Sequence, residues 1–273
     1  MKAKNRLFLV VALGLTITLL LSSCAPQPTA TPAVTAVATE AITEAPVETE
    51  APSVATEAPT APAEAGRKAV FVYAHPTSFP DLDPAKSFSN DSVITSNCYE
   101  TLTFYNPPGS ETLLSPKLAT SWESNEDATE WTFYLRQGVT FHDGEPFNAE
   151  AVKYSILKTK EIGVGAAYIW DPVEEIEVVD DYTVKFKLSY AAPLDLIASS
   201  GYAAWIYSPK AYEEHTSDWF NEGHCVGTGP YTIESYERGS RLVMTRYENY
   251  WGGWRAGQFE KVVFEISQDP VVN

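Results

Sequence analysis

LATSWESNEDATEWTFYLRQGVTFHDGEPFNAEAVKYSIL, residues 118–157, carries several structural signals in unbroken succession. An acidic turn at Asn125–Asp127 leads into a strand in which Trp131, Phe133 and Leu135 alternate onto one face. Asp143-Gly144 then supplies a residue pair that tolerates positive φ, as a tight turn requires. A helix is predicted from Asn148 onward, over Ala149–Lys158, with Val152, Ile156 and Leu157 as its apolar positions at helical spacing.

The flanking chain continues the pattern. Ala69–Tyr73 (AVFVY) is apolar on both faces, which predicts a strand inside a covered sheet. The polar, proline-rich turn Pro80–Pro84 precedes a helix predicted over Asp91–Thr103 and capped near Asn90. Val173–Val179 and Tyr182–Leu188 read as paired strands joined at Asp180-Asp181, the second alternating Val184, Phe186 and Leu188. Ser208-Pro209 has the cap-then-proline pattern that opens a helix. Strands are expected at Tyr231–Tyr236, Leu242–Arg246 and Val262–Ile266. Helices and strands interleave throughout, so the class is α/β or α+β.

The N-terminal segment gives an address. Lys2, Lys4 and Arg6 precede an apolar run from Leu7 to Leu21, and Leu21-Ser22-Ser23-Cys24 follows. That describes a secretory signal over residues 1–23, too short for a comfortable membrane span. The Leu-Ser-Ser-Cys ending resembles the lipobox of bacterial lipoproteins, which implies that Cys24 is lipidated and anchors the chain to the extracytoplasmic face of a membrane. Residues 24–66 are almost entirely Ala, Pro, Thr, Glu and Val, without aromatic or basic side chains until their end, and cannot build a core. As a disordered stalk they would span roughly 35 Å as a coil and about 130 Å fully extended.

Residues 67–273 are then left to fold. Of the formal charge of −17, residues 1–66 contribute −3, from Lys2, Lys4 and Arg6 against six glutamates. The acidic balance argues against a nucleic-acid partner, which needs clustered Lys and Arg. The chain has 3 cysteines. With Cys24 set aside, Cys98 and Cys225 are either one bridge or two separate buried thiols. A bridge would close a loop of about 128 residues, worth up to about 5 kcal/mol in the chain-entropy account.

No catalytic constellation emerges, so no enzyme, cofactor or resident metal is expected. There is no Gly-x-Ser-x-Gly elbow, and Gly227-Thr228-Gly229-Pro230 lacks the Gly-Lys-Ser/Thr of a phosphate loop. His75, His142, His215 and His224 share no ligand spacing. His142, in the FHDG turn, reads as a polar turn residue. The acidic group Glu174, Glu175, Glu177, Asp180 and Asp181 straddles a predicted hairpin and reads as a solvated edge. Tyr250, Trp251 and Trp254 are apt for stacking on a sugar.

A second block, VGTGPYTIESYERGSRLVMTRYENYWGG at residues 226–253, follows the first. Together with LATSWESNED, WTFYLRQGVTFHDGEPFNAEAV and VKFKLSYAAPLDLI, with Cys98-Tyr99-Glu100-Thr101-Leu102 and with Leu82-Asp83-Pro84, it resembles the family 5 solute-binding proteins of bacterial ABC importers. The resemblance covers roughly Val70–Ile266. That group includes oligopeptide-, dipeptide- and nickel-binding proteins. The resemblance implies that the Tyr-Trp-Gly-Gly segment holding Tyr250 and Trp251 is used structurally. Ala151 is a small departure, since many relatives carry Asp there.

The resemblance implies a periplasmic-binding-protein type 2-like fold. Residues 67–273 would supply lobe I with its inserted subdomain at about 106–206, and the second lobe would be missing. Such a chain would be the N-terminal half of a longer protein or, less simply, a natural one-lobe protein. The solute, most simply a peptide, would be enclosed between lobes and handed to ABC permease subunits. An oligosaccharide is the alternative within the family, and a secreted hydrolase or carbohydrate-binding module the alternative outside it. The backbone at Ser87, Phe88, Ser89 and Asn90 is implied to pair with an extended ligand like an added strand, with Thr228 as a second candidate contact. The absent half would hold most determinants of which solute is taken.

Overall fold

The computed structural model describes residues 69–267; the expected signal segment 1–23, the stalk 24–66 and Cys24 lie outside them. In chain order the strands are β1 (Val70–His75), β2 (Thr103–Tyr105), β3 (Leu114–Pro116), β4 (Ala119–Ser124), β5 (Glu130–Leu135), β6 (Val173–Asp180), β7 (Thr183–Leu188), β8 (Tyr231–Glu237), β9 (Arg241–Arg246) and β10 (Lys261–Ile266). The helices are α1 (Ser92–Cys98), α2 (Ala149–Ile162), α3 (Leu194–Ile197), α4 (Pro209–Glu214) and α5 (Ser217–Asn221).

One four-stranded sheet, in the order β4-β5-β7-β6, grows from the opening stretch and its hairpin partner. Its inner face is the predicted alternation: Trp131, Phe133 and Leu135 of β5 and Val184, Phe186 and Leu188 of β7 are all buried. Asn148 caps α2 by accepting from the Ala151 amide at 3.0 Å, and Gly163 ends it in the left-handed region at φ 67. Val152 and Ile156 of α2 join the same buried cluster as Phe186 and Ile176. Leu157 does not; it is 40% exposed, because one residue past Ile156 turns a side chain about 100° off the core-facing stripe. The outer face carries cross-strand ion pairs, with Lys185 on Glu130 and Lys187 on Glu174.

The second four-stranded sheet, in the order β1-β10-β9-β8, lies over a separate cluster built from Phe79, Leu82, Ile94, Tyr99, Tyr207, Leu242 and Met244. Here two expectations fail. β1 is an edge strand, parallel to β10, and Val72 is 59% exposed. An apolar run marks a strand that wants cover, but does not say which segment provides it, and among the described residues only β10 pairs with β1. α1 also stops at Cys98 rather than reaching Thr103. Tyr99 turns extended (φ −116, ψ 158) so that Glu100 can bridge antiparallel to Ile206, and Thr103 enters β2. Its N-cap is Asp91; the Asn90 side chain donates instead to Thr77 and Ser78. Among the described residues no helix is long and apolar enough to cross a membrane.

Candidate functional site

The segment leading into α1 is anchored from below. Asp83 is fully buried; its carbonyl accepts from the Lys86 and Ser87 amides, and its carboxylate accepts from the Ala85 amide at 2.9 Å and the Tyr212 phenol at 3.1 Å. Burial first, and the Asp83 charge next, push the Tyr212 phenol well up, so it remains a donor. The Leu82 amide donates to Asn221 at 2.6 Å, which ties the turn to α5.

Past this anchor the five candidate contact residues separate. Ser87 is buried and its hydroxyl donates to Asp91. The Ser89 hydroxyl donates to Asn90, whose amide group is already committed. Thr228 is buried, and its hydroxyl donates to Glu100 at 2.8 Å. Phe88 is different: it is 52% exposed, and its ring meets the Tyr202 ring edge-on at 5.2 Å. The amide N–H groups of Phe88, Ser89 and Asn90 have no protein partner among the described residues. Beside them an open pocket of about 350 Å³ is lined by Ser92, Val93, Ser96, Gly201 and Tyr202. What this surface offers is therefore free backbone, an aromatic edge and small hydroxyls, without a nucleophile or a titrating pair.

Just past the end of α1, Glu100 is the centre of a knot of long-range contacts. The Glu100 carboxylate, 2% exposed, accepts from Thr228, from the Tyr250 phenol at 2.9 Å and from the Trp251 indole at 2.6 Å, and pairs with Lys117 at 2.9 Å. Burial and then the Glu100 charge push the Tyr250 phenol up, which keeps it a donor. Arg136 lies over the Trp251 ring at 4.3 Å. Tyr250 and Trp251 are thus used inside the protein, in line with their structural reading.

Gly227 and Gly229 let the following turn press against the end of α1. A Cβ at Gly227 would sit 2.1 Å from the Cys98 carbonyl oxygen, and one at Gly229 would sit 2.4 Å from that of Asn97. The Gly229 amide donates to the Cys98 carbonyl at 2.9 Å. In the structure the sulfurs of Cys98 and Cys225 are joined, with Cα atoms 6.2 Å apart. His142 closes the other side of the turn. Its amide donates to the Gly227 carbonyl, its Nδ1 accepts from the Gly227 amide at 3.4 Å, and its Nε2–H donates to the Gly229 carbonyl at 2.8 Å.

That tautomer requires a neutral ring, and burial, only partly offset by its backbone hydrogen bonds, holds the His142 pKa below the ordinary 6.5. As pH falls, the unfolded chain therefore takes up this proton first. The associated stability is complete above about pH 6.5 and is lost as pH drops through the depressed folded value. Urea midpoints measured between pH 7.5 and pH 5 should decline in the wild-type chain, and His142→Gln should flatten the upper part of that decline. An unchanged slope in the variant would remove His142 as its source.

Elsewhere the chemistry is quiet. Glu174, Glu175, Glu177 and Asp180 lie on the edge strand β6, where Glu175 and Glu177 stand opposite Lys187 and Lys185 of β7, and Glu174 pairs with Lys187. Among the described residues no group of three or more His, Cys, Asp and Glu side chains is placed to hold a metal ion. The His215 and His224 rings each stack on Trp219, with centroids 3.8 and 4.2 Å away.

Comparison with known proteins gives this arrangement relatives. Residues 114–273 match the family profile of bacterial extracellular solute-binding proteins, family 5 Middle. The Escherichia coli K12 protein named "Probable D,D-dipeptide-binding periplasmic protein DdpA" is 36% identical over 179 residues, covering 63% of this chain and 34% of that protein. Among solved structures, MoaA of Agrobacterium tumefaciens in complex with mannopinic acid superposes with TM-score 0.67 at 27% identity, over 76% of this chain and 42% of that one. DppA of Helicobacter pylori in complex with the peptide STSA superposes with TM-score 0.63 at 26% identity, over 74% and 43%. The chain thus spans about a third of the curated relative and less than half of the solved ones. Its mixed α/β architecture is that of the type 2 periplasmic-binding-protein fold in part.

Proposed function

The chain belongs to the family 5 bacterial extracellular solute-binding proteins, and from that membership we propose that it contributes one wall of a solute-capturing cleft in an ABC importer, with a peptide as the solute. The observation that carries this reading is the run of unpartnered amides at Phe88–Asn90 beside an open pocket, held in place by a fully buried Asp83 and α1. Free backbone on a rigid support can accept an extended peptide as an added strand, giving affinity without reading side chains. Closure over the solute would shift a population between open and closed states. Delivery to permease subunits follows from the same reading, and no step of it needs an enzyme.

The remaining assignments complete the picture. Residues 1–23 would direct export, Cys24 would carry the lipid anchor, residues 24–66 would act as stalk, and about 106–206 would form a subdomain inserted in lobe I. The Cys98–Cys225 pairing suits an oxidising extracytoplasmic compartment. Two alkylatable thiols in the unreduced, exported protein would remove that support.

The central test is calorimetric titration of the protein, as its source organism makes it, with di- and tripeptides. Saturable binding with the peptides recovered intact is expected. Product accumulation would replace this reading with a hydrolase, and binding of oligosaccharides in place of peptides would move it to the other solute class.

A further inference from the structure

The exposed aromatic edge is held more firmly than an idle surface needs. Ala203, directly after Tyr202, has φ 59, a left-handed value that a residue with a Cβ adopts at a cost of about 1 kcal/mol or more. Its carbonyl is gripped by the buried Trp170 indole at 2.7 Å, while the Ser200 hydroxyl donates to the Tyr202 carbonyl at 2.8 Å. On the other side, Gly165, at φ +60, lets its loop close on the Phe88 segment: a Cβ there would lie 2.7 Å from the Lys86 carbonyl oxygen and 3.2 Å from the Phe88 Cβ. Segments far apart in sequence thus converge to hold Tyr202, which lines the pocket, and Phe88, whose ring meets it.

The lining has a definite chemical character. No charged side chain is among Ser92, Val93, Ser96, Gly201 and Tyr202. The nearby Lys86 is paired with Asp83 at 3.7 Å. The hydroxyls of Ser92, Ser96 and Tyr202 have no protein partner among the described residues. A charged group entering here would meet no counter-charge, and once a closing cleft stripped its hydration that would be costly. A neutral group with an apolar face and hydrogen-bonding atoms would lose little, since it meets rings, Val93 and free hydroxyls.

We infer that Phe88, Tyr202, Ser92 and Ser96 form a subsite selective for a neutral portion of the solute that combines an apolar or ring face with hydroxyl or amide atoms. This rests on the solute-binding reading, and it assigns to that wall a preference by charge. A tyrosine-like peptide side chain and a pyranose ring share the chemistry.

Saturation-transfer NMR on the full chain distinguishes them, using N-acetyltyrosinamide and methyl glucoside as neutral probes and N-acetyllysinamide and N-acetylaspartamide as charged ones. Transfer to at least one neutral probe is expected, with the charged probes silent; the neutral probe that responds identifies the source. Tyr202→Ala should weaken the response about fivefold, and Ser96→Ala, at an exposed position unable to disturb folding, should weaken it measurably. Charged probes binding as well as neutral ones would overturn the selectivity while leaving the wall as a solute site. Silence from every probe, or a neutral response unaffected by both variants, would overturn the subsite itself, and the peptide titration would then judge the broader reading alone.

Discussion

Glu100→Ala should lower folding stability by about 3–5 kcal/mol, the range typical for removing one partner of a buried charge pair. The carboxylate is the common acceptor for Lys117, Thr228, Tyr250 and Trp251, so its removal strands four donors from three separate parts of the chain. Lys117 can turn toward water, since its side chain is 28% exposed, but the buried Thr228 hydroxyl cannot. Glu100→Gln keeps the shape and an acceptor oxygen but loses the charge and adds a donor, so a smaller loss of about 1–3 kcal/mol is expected. Urea denaturation at constant slope measures both. A Glu100→Ala midpoint within the error of wild type would show that the donors find other partners and that the knot does not stabilise the fold.

The second large effect should come from Gly227→Ala. Its methyl group would arrive 2.1 Å from the Cys98 carbonyl oxygen and 2.6 Å from the Tyr99 ring, against backbone that cannot yield without moving α1. The turn would have to lift, which releases the Gly229–Cys98 and His142–Gly227 hydrogen bonds together. A loss above about 3 kcal/mol, or failure to accumulate folded protein, is expected from overpacking joined to a broken network. Gly239→Ala serves as the control, because nothing lies within 4 Å of a Cβ there and only its positive φ of +77 opposes the change. If the two variants unfold at the same urea concentration, close approach is not what Gly227 provides.

These two positions mark where local pattern stops being informative. The strands and helices around Trp131–Ile156 were legible because their periodicity, the Asn148 cap and the Asp143-Gly144 turn are all written within a few residues of one another. The early end of α1 was not, because it is set by the pairing of Glu100 with Ile206, over a hundred residues away. The same holds for the Glu100 knot. An acidic residue inside the otherwise uncharged Cys98–Leu102 segment was its one visible sign, and nothing near it in sequence names Tyr250 or Trp251 as donors. β1 misled in the opposite sense, since its composition reports a demand for cover while only the assembled sheet shows that, among the described residues, β10 alone answers it. At the candidate site, family resemblance pointed to Ser87–Asn90, but Tyr202 came from a segment with no motif of its own. A non-glycine residue at positive φ is invisible before coordinates exist.

The joined sulfurs of Cys98 and Cys225 have a mechanical consequence. They close the chain between them into a covalent ring with a sequence separation of 127 residues. β1 and β10, outside that ring, run parallel, so tension applied at the start of β1 and the end of β10 shears their ladder and loads its hydrogen bonds together. Force passing from one to the other crosses the sulfur link and bypasses the ring. Roughly 430 Å of contour length is thereby locked away, so a chain stretched from its two ends yields in its outer sheet while the inner one bears no load.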